Sequence, residues 1–177
     1  MRYLLFAALL LPALAFSQQT TTYLKLNDAN GIQIKGTAFV KGFEAQIVVT
    51  SMVSDPGNQK NGGKPSNTIT FTMPVSGATA DLRRSINSGK PLSSGDLTSL
   101  VSSQMSAPSI TFRIRMEQVT VVSLVDAIGC NGVMNTTVVL EAERMGWTYY
   151  NTNKGGASIV SNKYGWDARA GKEWTGF

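Results

Sequence analysis

The 177-residue sequence has no histidine and one cysteine, Cys130. Without histidine there is no Ser-His-Asp or Cys-His nucleophilic set, no His-ligated zinc, and no imidazole general base. A single cysteine makes no intramolecular disulfide and no thiolate metal cluster. Cys130 follows an apolar run into the turn "GCNG" and reads as a partly buried inert thiol, with a cross-subunit disulfide as the sharper alternative. Acidic residues are few, 11 against 16 basic, for a formal net charge of +5. The basic residues are scattered: Lys60 and Lys64 in a loop, Arg83 and Arg84 in a predicted helix, Arg113 and Arg115 on a predicted strand. No basic run is interleaved with aromatics, so nucleic-acid binding has no footprint here. Phosphate-cradling G-x-x-x-x-G-K-[ST] loops and G-x-S-x-G elbows are also missing. A carboxylate-pair hydrolase is the one enzymatic route left. Glu141 and Glu143 alternate with apolar residues as on any solvated strand, and turn initiation accounts for Asp126. We expect no enzyme, no cofactor and no metal.

The chain has one long apolar run, at its start: "MRYLLFAALLLPALAFSQQT". Arg2 precedes a greasy segment from Tyr3 to Leu14, and Ala13, Ala15 and Ser17 supply the small residues of a cleavage site. Cuts after Ala15 or after Ser17 both fit, and the second is preferred. The run is shorter than the about 20 residues that span a bilayer, and Pro12 weakens it further as a spanning helix. We therefore expect residues 1–17 to be a cleavable secretory signal and 18–177 to be a single domain. The product is expected to be secreted or periplasmic, with no stable membrane insertion once the signal is removed.

Most of that domain reads as strand punctuated by turns. "YLKLND" places Leu24 and Leu26 inward and Tyr23 and Lys25 outward, then turns at Asp28–Gly31. "AQIVVTSMV" (Ala45–Val53) is β-branched and continuous, as a strand covered on both faces would be. "TITFTMP" alternates Ile69, Phe71 and Met73 against threonines and ends at Pro74. "ITFRIRMEQ" sets Phe112, Ile114 and Met116 against Thr111, Arg113, Arg115 and Glu117. It runs into "VTVVSLVDAI", where both faces become apolar, and the chain reverses at Gly129–Gly132. "TTVVLEAERM" points Val138, Leu140 and Ala142 inward. A hairpin of these last two segments would allow Arg113 and Arg115 to pair with Glu141 and Glu143.

"GATADLRRSINSGK" (Gly77–Lys90) breaks the alternation. Thr79 is its expected N-cap, Leu82 and Ile86 share a face, and Gly89 is its stop signal. "LSSGDLTSLVSSQ" (Leu92–Gln104) spaces Leu97, Leu100 and Val101 as a helix does and reads as a second short helix or an ordered loop. "SDPGNQKNGGKPSN" (Ser54–Asn67) is a long loop, rich in Gly and Pro and so functional or mobile. "NTNKGGAS" (Asn151–Ser158) connects a hairpin. In the C-terminal part, Trp147 and Tyr149 at period two mark a core-facing strand side. Trp166 and Trp174 read as anchors pinning a terminal segment to the body. A stacking surface for sugars is the alternative use of these rings.

The ordered set "YLKLND", "TITFTMPVSGATADLRRSINSGKPL", "ITFRIRMEQVTVVSLV", "NTTVVLEAERMGWTYY" and "YGWDARAGKEW" resembles the Hcp family, the tube protein of type VI secretion systems. The resemblance covers residues 22–174. It is most specific in the strand that ends at a proline and leads to a helix closing on Gly-Lys. It implies a mainly β fold, a compact two-sheet β-barrel with one short α-helix at its side. It further implies self-assembly into homo-hexameric rings that stack into a hollow tube able to hold effector cargo. By position, the ring-stacking loop would be Asp55, Pro56, Gly57, Gln59, Lys60, Gly62, Gly63 and Lys64. Apolar residues on both faces of the strand around Val119, Val121, Val122 and Leu124 suggest that a neighbouring subunit covers it. The family's members leave through the secretion machine without a cleavable leader, whereas this chain opens on one. The alternative is a secreted binding module on the same barrel that recognises glycan or an envelope protein through its aromatic C-terminal region.

Overall fold

A computed structural model describes residues 19–55, 67–103, 106–129, 132–153 and 156–177. The signal segment 1–17 and Cys130 lie outside the described residues. In chain order the elements are β1 (Gln19–Asn27), β2 (Gln33–Ile34), β3 (Ile47–Val49), β4 (Ser51–Asp55), β5 (Asn67–Pro74), α1 (Gly77–Ser88), β6 (Leu92–Ser103), β7 (Ser106–Ile128), β8 (Met134–Thr152), β9 (Ser158–Asp167) and β10 (Lys172–Glu173). The fold is mainly β with one short helix, and every strand pairing is antiparallel.

The pairings form a closed circuit. β1 pairs with β6, β6 with β7, β7 with β8, and β8 with β5. β5 then pairs with β4, and β3 returns to β1. The sequence predicts one doubly covered strand over Ala45–Val53. Instead β3 and β4 flank Thr50, with β3 serving β1 and β4 serving β5. A segment that changes partners at a corner has one buried face, and Val53 is accordingly exposed. Strand β8 changes partners too: its first half pairs with β5 and its second, from Arg144, with β9. Asn67, fully buried, sits at this junction and donates through Nδ2 to the main-chain oxygens of Trp166 (3.0 Å) and Glu143 (3.4 Å).

Period-two alternation fills the interior. Leu24, Leu26, Ile69, Phe71, Met73, Ile114, Met116, Val138, Leu140 and Ala142 are buried in one cluster. Tyr23, expected outward, is also buried, but on the opposite face of the sheet. Residues 36–46 fold back over it, and the Phe43 ring stacks on Tyr23 at 4.7 Å between centroids. Ala38 and Leu100 complete this second small cluster.

Residues 92–103 are a strand, not a helix. Leu97 points to the main core and Leu100 to the Tyr23 cluster, so the spacing that mimics a helical face reflects residues on two sides of one sheet. Helix α1 begins one turn earlier than expected. Ser76 is the N-cap, and Thr79 is the third helical residue, its Oγ1 accepting from the Ser76 N–H at 3.2 Å. Gly89 ends the helix in the left-handed region, φ 64°, where a side chain would be strained. Leu82 seats α1 on the core. Asp126, read above as a turn residue, lies inside β7, pairs with Arg83 of α1 and accepts from Thr136 Oγ1 at 2.9 Å.

The hairpin register also overturns the expected ion pairs. Arg113 faces Thr148 and Arg115 faces Gly146 across β8, not Glu141 or Glu143. Glu117 instead pairs with Arg144 at 2.9 Å, and Glu143 with Arg169 at 3.6 Å.

Candidate assembly surface

The long β7–β8 hairpin outruns the core it helps to enclose. Val119 and Val121 face the core, at 0% and 5% exposure. They are therefore not available to a neighbouring subunit, and the expected contact strand is corrected at these two positions. A register shift between Val121 and Ser123 bulges Val122 out of the ladder and leaves it half-exposed. Leu124 packs partly on the core. Beyond it Val125, Ile128, Val133 and Met134 are exposed on both faces of the hairpin end. Val75 joins them, its N–H bonded to the Met134 oxygen at 3.3 Å. These exposed apolar side chains at one end of a barrel that already has its own core make this end a candidate interaction surface. The sequence carries its signal in the two-phase apolar run "VTVVSLVDAI", which does not by itself mark Val125, Ile128 and Met134 as the exposed end.

The expected stacking loop springs from the other end of β5. Pro74 of β5 faces Asn135 near the hairpin end, whereas Asp55 and Thr68 form a rung at the base of the 56–66 connection. Asp55 is exposed at the end of β4; Pro56, Gly57, Gln59, Lys60, Gly62, Gly63 and Lys64 lie outside the described residues.

The aromatic residues divide by depth. Trp147 is buried, donates from Nε1 to Ser54 Oγ at 3.2 Å and stacks on Tyr164 at 5.7 Å. Tyr149, expected on the core side with it, is half-exposed at the barrel rim and tilts against Phe112 at 5.1 Å. The core ends there, so the same strand face passes from interior to solvent. These four rings and Ser54 line an open cleft of about 210 Å³. Trp166 packs half-buried on the core, and Trp174 is buried beside Phe177 with ring centroids 5.0 Å apart. The Phe177 ring lies over Gly146 and Gly165, which face each other across β8 and β9. A Cβ on either glycine would meet that ring within 2.4 Å. Only glycine leaves the groove open there.

Chemical groups are sparse. Among the described residues no cluster of three His, Cys, Asp or Glu side chains is placed to hold a metal ion. Among the same residues no helix is long and apolar enough to cross a membrane. Glu44, in the 36–46 segment, has its carboxyl held below the usual carboxylate range by hydrogen bonds from its own backbone N–H and from that of Gly42, the latter at 2.9 Å. This bond organises a loop on the surface; it does not prepare an acid or base.

Comparison with known proteins places this geometry. A family model described as "Type VI secretion system effector, Hcp" matches residues 23–149. Among solved structures, a doubly substituted Hcp1 protein of the E. coli EAEC 042 pathovar is similar with a TM-score of 0.63 at 22% identity, covering 80% of this chain and 97% of that one. Hcp1 from Salmonella typhimurium is similar with a TM-score of 0.68 at 18% identity, covering 88% and 99%. A structure described as a type six secretion system protein reaches 0.73 at 17% identity, covering 88% and 100%. Among curated proteins, none matches the sequence. Identities this low speak for the fold; the family model speaks for the sequence, across most of the domain and through the long hairpin. The chain belongs to the Hcp family of type VI secretion system proteins.

Proposed function

We propose that this chain is the non-catalytic subunit of a homo-hexameric ring that stacks into a hollow tube and acts as conduit and chaperone for effector cargo. The observation that carries the reading is the exposed apolar hairpin end on a barrel of this family. Val122, Val125, Ile128 and Met134 have no role in the chain's own core, and an adjacent copy would cover them. The 56–66 connection, based at the opposite end of β5, is then the element that meets the next ring. The protein acts outside the cytoplasm, and residues 1–17 are its removable export signal. Size-exclusion chromatography with light scattering on residues 18–177 tests the assembly. A hexameric mass is expected, and a monodisperse monomer at high concentration would sink the proposal. Deleting Gln59–Lys64 should leave rings intact and abolish their stacking; loss of the ring itself would show that this loop has another role.

One observation favours a second reading, a secreted binding module. The cleft of Phe112, Trp147, Tyr149 and Tyr164 offers half-exposed rings of the kind that stack on sugars. A monomer retained by a glycan column, and released by Tyr149→Ala, would favour it over the ring.

A further inference from the structure

The sheet face opposite the main core carries two polar rungs. One runs Tyr23, Thr98, Arg113, Thr148, Lys163 across β1, β6, β7, β8 and β9. The next runs Lys25, Asp96, Arg115, Gly146, Gly165. Each rung ends against a wall: Phe43 stacked on Tyr23 on one side, Phe177 laid over the glycine pair on the other. Beside the Phe177 wall, Arg113, Arg115, Lys163 and Asp96 surround a recess of about 250 Å³, with Thr148 and Tyr150 also lining it.

The arginines here differ from the others. Arg83, Arg84, Arg144 and Arg169 each pair with a carboxylate. Among the described residues, Arg113 and Arg115 form no ion pair, and neither does Asp96, although it faces Arg115 across the β6–β7 ladder. Lys163 is held in place: its ammonium donates to the Phe177 main-chain oxygen and lies 4.5 Å from the centre of that ring. Lys163 is thus taken up by the Phe177 oxygen, and the two unpaired guanidinium groups meet one carboxylate, Asp96, in the recess. The two guanidinium-bearing residues are two apart on one strand and so share a face, with Cα atoms about 6–7 Å apart. Guanidinium forks match the oxygens of phosphate and carboxylate groups and bind them more strongly than neutral donors do.

We propose that this recess is a binding site for a small organic oxyanion, a ligand with a phosphate or carboxylate head. Arg113 and Arg115 grip the head from adjacent positions, and the hydroxyls of Thr148 and Tyr150 offer further hydrogen bonds. Val160 and the Phe177 ring, which also line the recess, take the ligand's apolar part. The site is built within one chain, so it stands or falls independently of ring formation.

The test is calorimetric titration of residues 18–177 at low salt with pyrophosphate and, separately, with citrate. Saturable binding of either probe, one per chain, is expected, and the probe that saturates identifies the head group. Arg113→Gln with Arg115→Gln should weaken binding by about tenfold or more, the size of a lost charged hydrogen bond. The double lysine variant keeps the charge without the fork and should fall between the two. It also serves if the glutamine variant does not fold. Lys41→Gln, on an exposed loop outside the recess, should bind as the parent does. No saturation with either probe would overturn the site. So would equal binding by the parent and whichever arginine variant folds, or an equal loss in Lys41→Gln.

Discussion

Gln118 holds its backbone at φ 52°, in the left-handed region that side chains other than Gly and Asn seldom adopt. It interrupts the alternation of β7 between Glu117 and Val119, both of which remain paired, opposite the point where β8 exchanges β5 for β9. Strain kept at such a corner costs about 1–3 kcal/mol and is held by the pairing on either side. Gln118→Gly should relieve it and raise stability by up to about 1 kcal/mol. Gln118→Val, β-branched and poorly suited to positive φ, should lower it by about 1–2 kcal/mol. Urea titration of both variants against the parent reads these as opposite shifts of midpoint at unchanged slope. A shift in the same direction for both would show that the turn is not strained. The sequence "MEQV" gives no sign of this backbone state, because glutamine advertises neither a turn nor a bulge.

Among the elements, the C-terminal strap illustrates packing that rests on the absence of side chains. Trp174 N–H bonds to the Gly165 oxygen at 2.9 Å, and Phe177 fills the floor left by Gly146 and Gly165. Gly165→Val places a branched side chain into the Phe177 ring and the Trp174 carbonyl. Overpacking of this kind costs about 1–3 kcal/mol. Expected results are a lower melting temperature and a red shift of tryptophan emission as Trp174 leaves its site. An unchanged emission would mean that the strap does not shield Trp174.

The elements were legible in the sequence where one face was buried and the other wet. The rows of Ile69, Phe71 and Met73, and of Val138, Leu140 and Ala142, show their period directly, and α1 carries its own stop residue, Gly89, although its cap is Ser76 rather than Thr79. Legibility failed where a strand serves two covers. Leu97 and Leu100 sit on opposite sides of β6, and Tyr23 is buried by residues 36–46, far from it in sequence. It failed again at Thr50, where a continuous apolar run conceals a change of partner. At the candidate surface, the run "VTVVSLVDAI" revealed that something was doubly apolar. It did not reveal where the core stops, because that depends on how far β7 and β8 extend beyond α1 and β5.

At the scale of the whole molecule, the proposed ring would place assembly on a part of the hairpin that folding does not need. Val125 and Ile128 are exposed and lie outside the core, so replacing both with Asp should leave the barrel's melting temperature within a few degrees, as surface changes do. The same change should lower the particle mass from ring to monomer by light scattering, since buried unpaired carboxylates are costly at an interface. A ring that persists with both aspartates in place would remove this surface from the assembly.

The closed circuit also dictates an order of events in time. β1 waits for β6, whose residues come some seventy positions later, and β5 waits for residues 135–142 of β8. β1 is paired once β6 exists, but residues 47–55 tie it to β5, so the barrel closes only when β5 meets the first half of β8. Contacts this distant make a barrel slow to form. A chain emerging N-terminus first, from a ribosome or through a membrane, therefore travels as an open polypeptide for most of its length and becomes a barrel only near the end of its delivery.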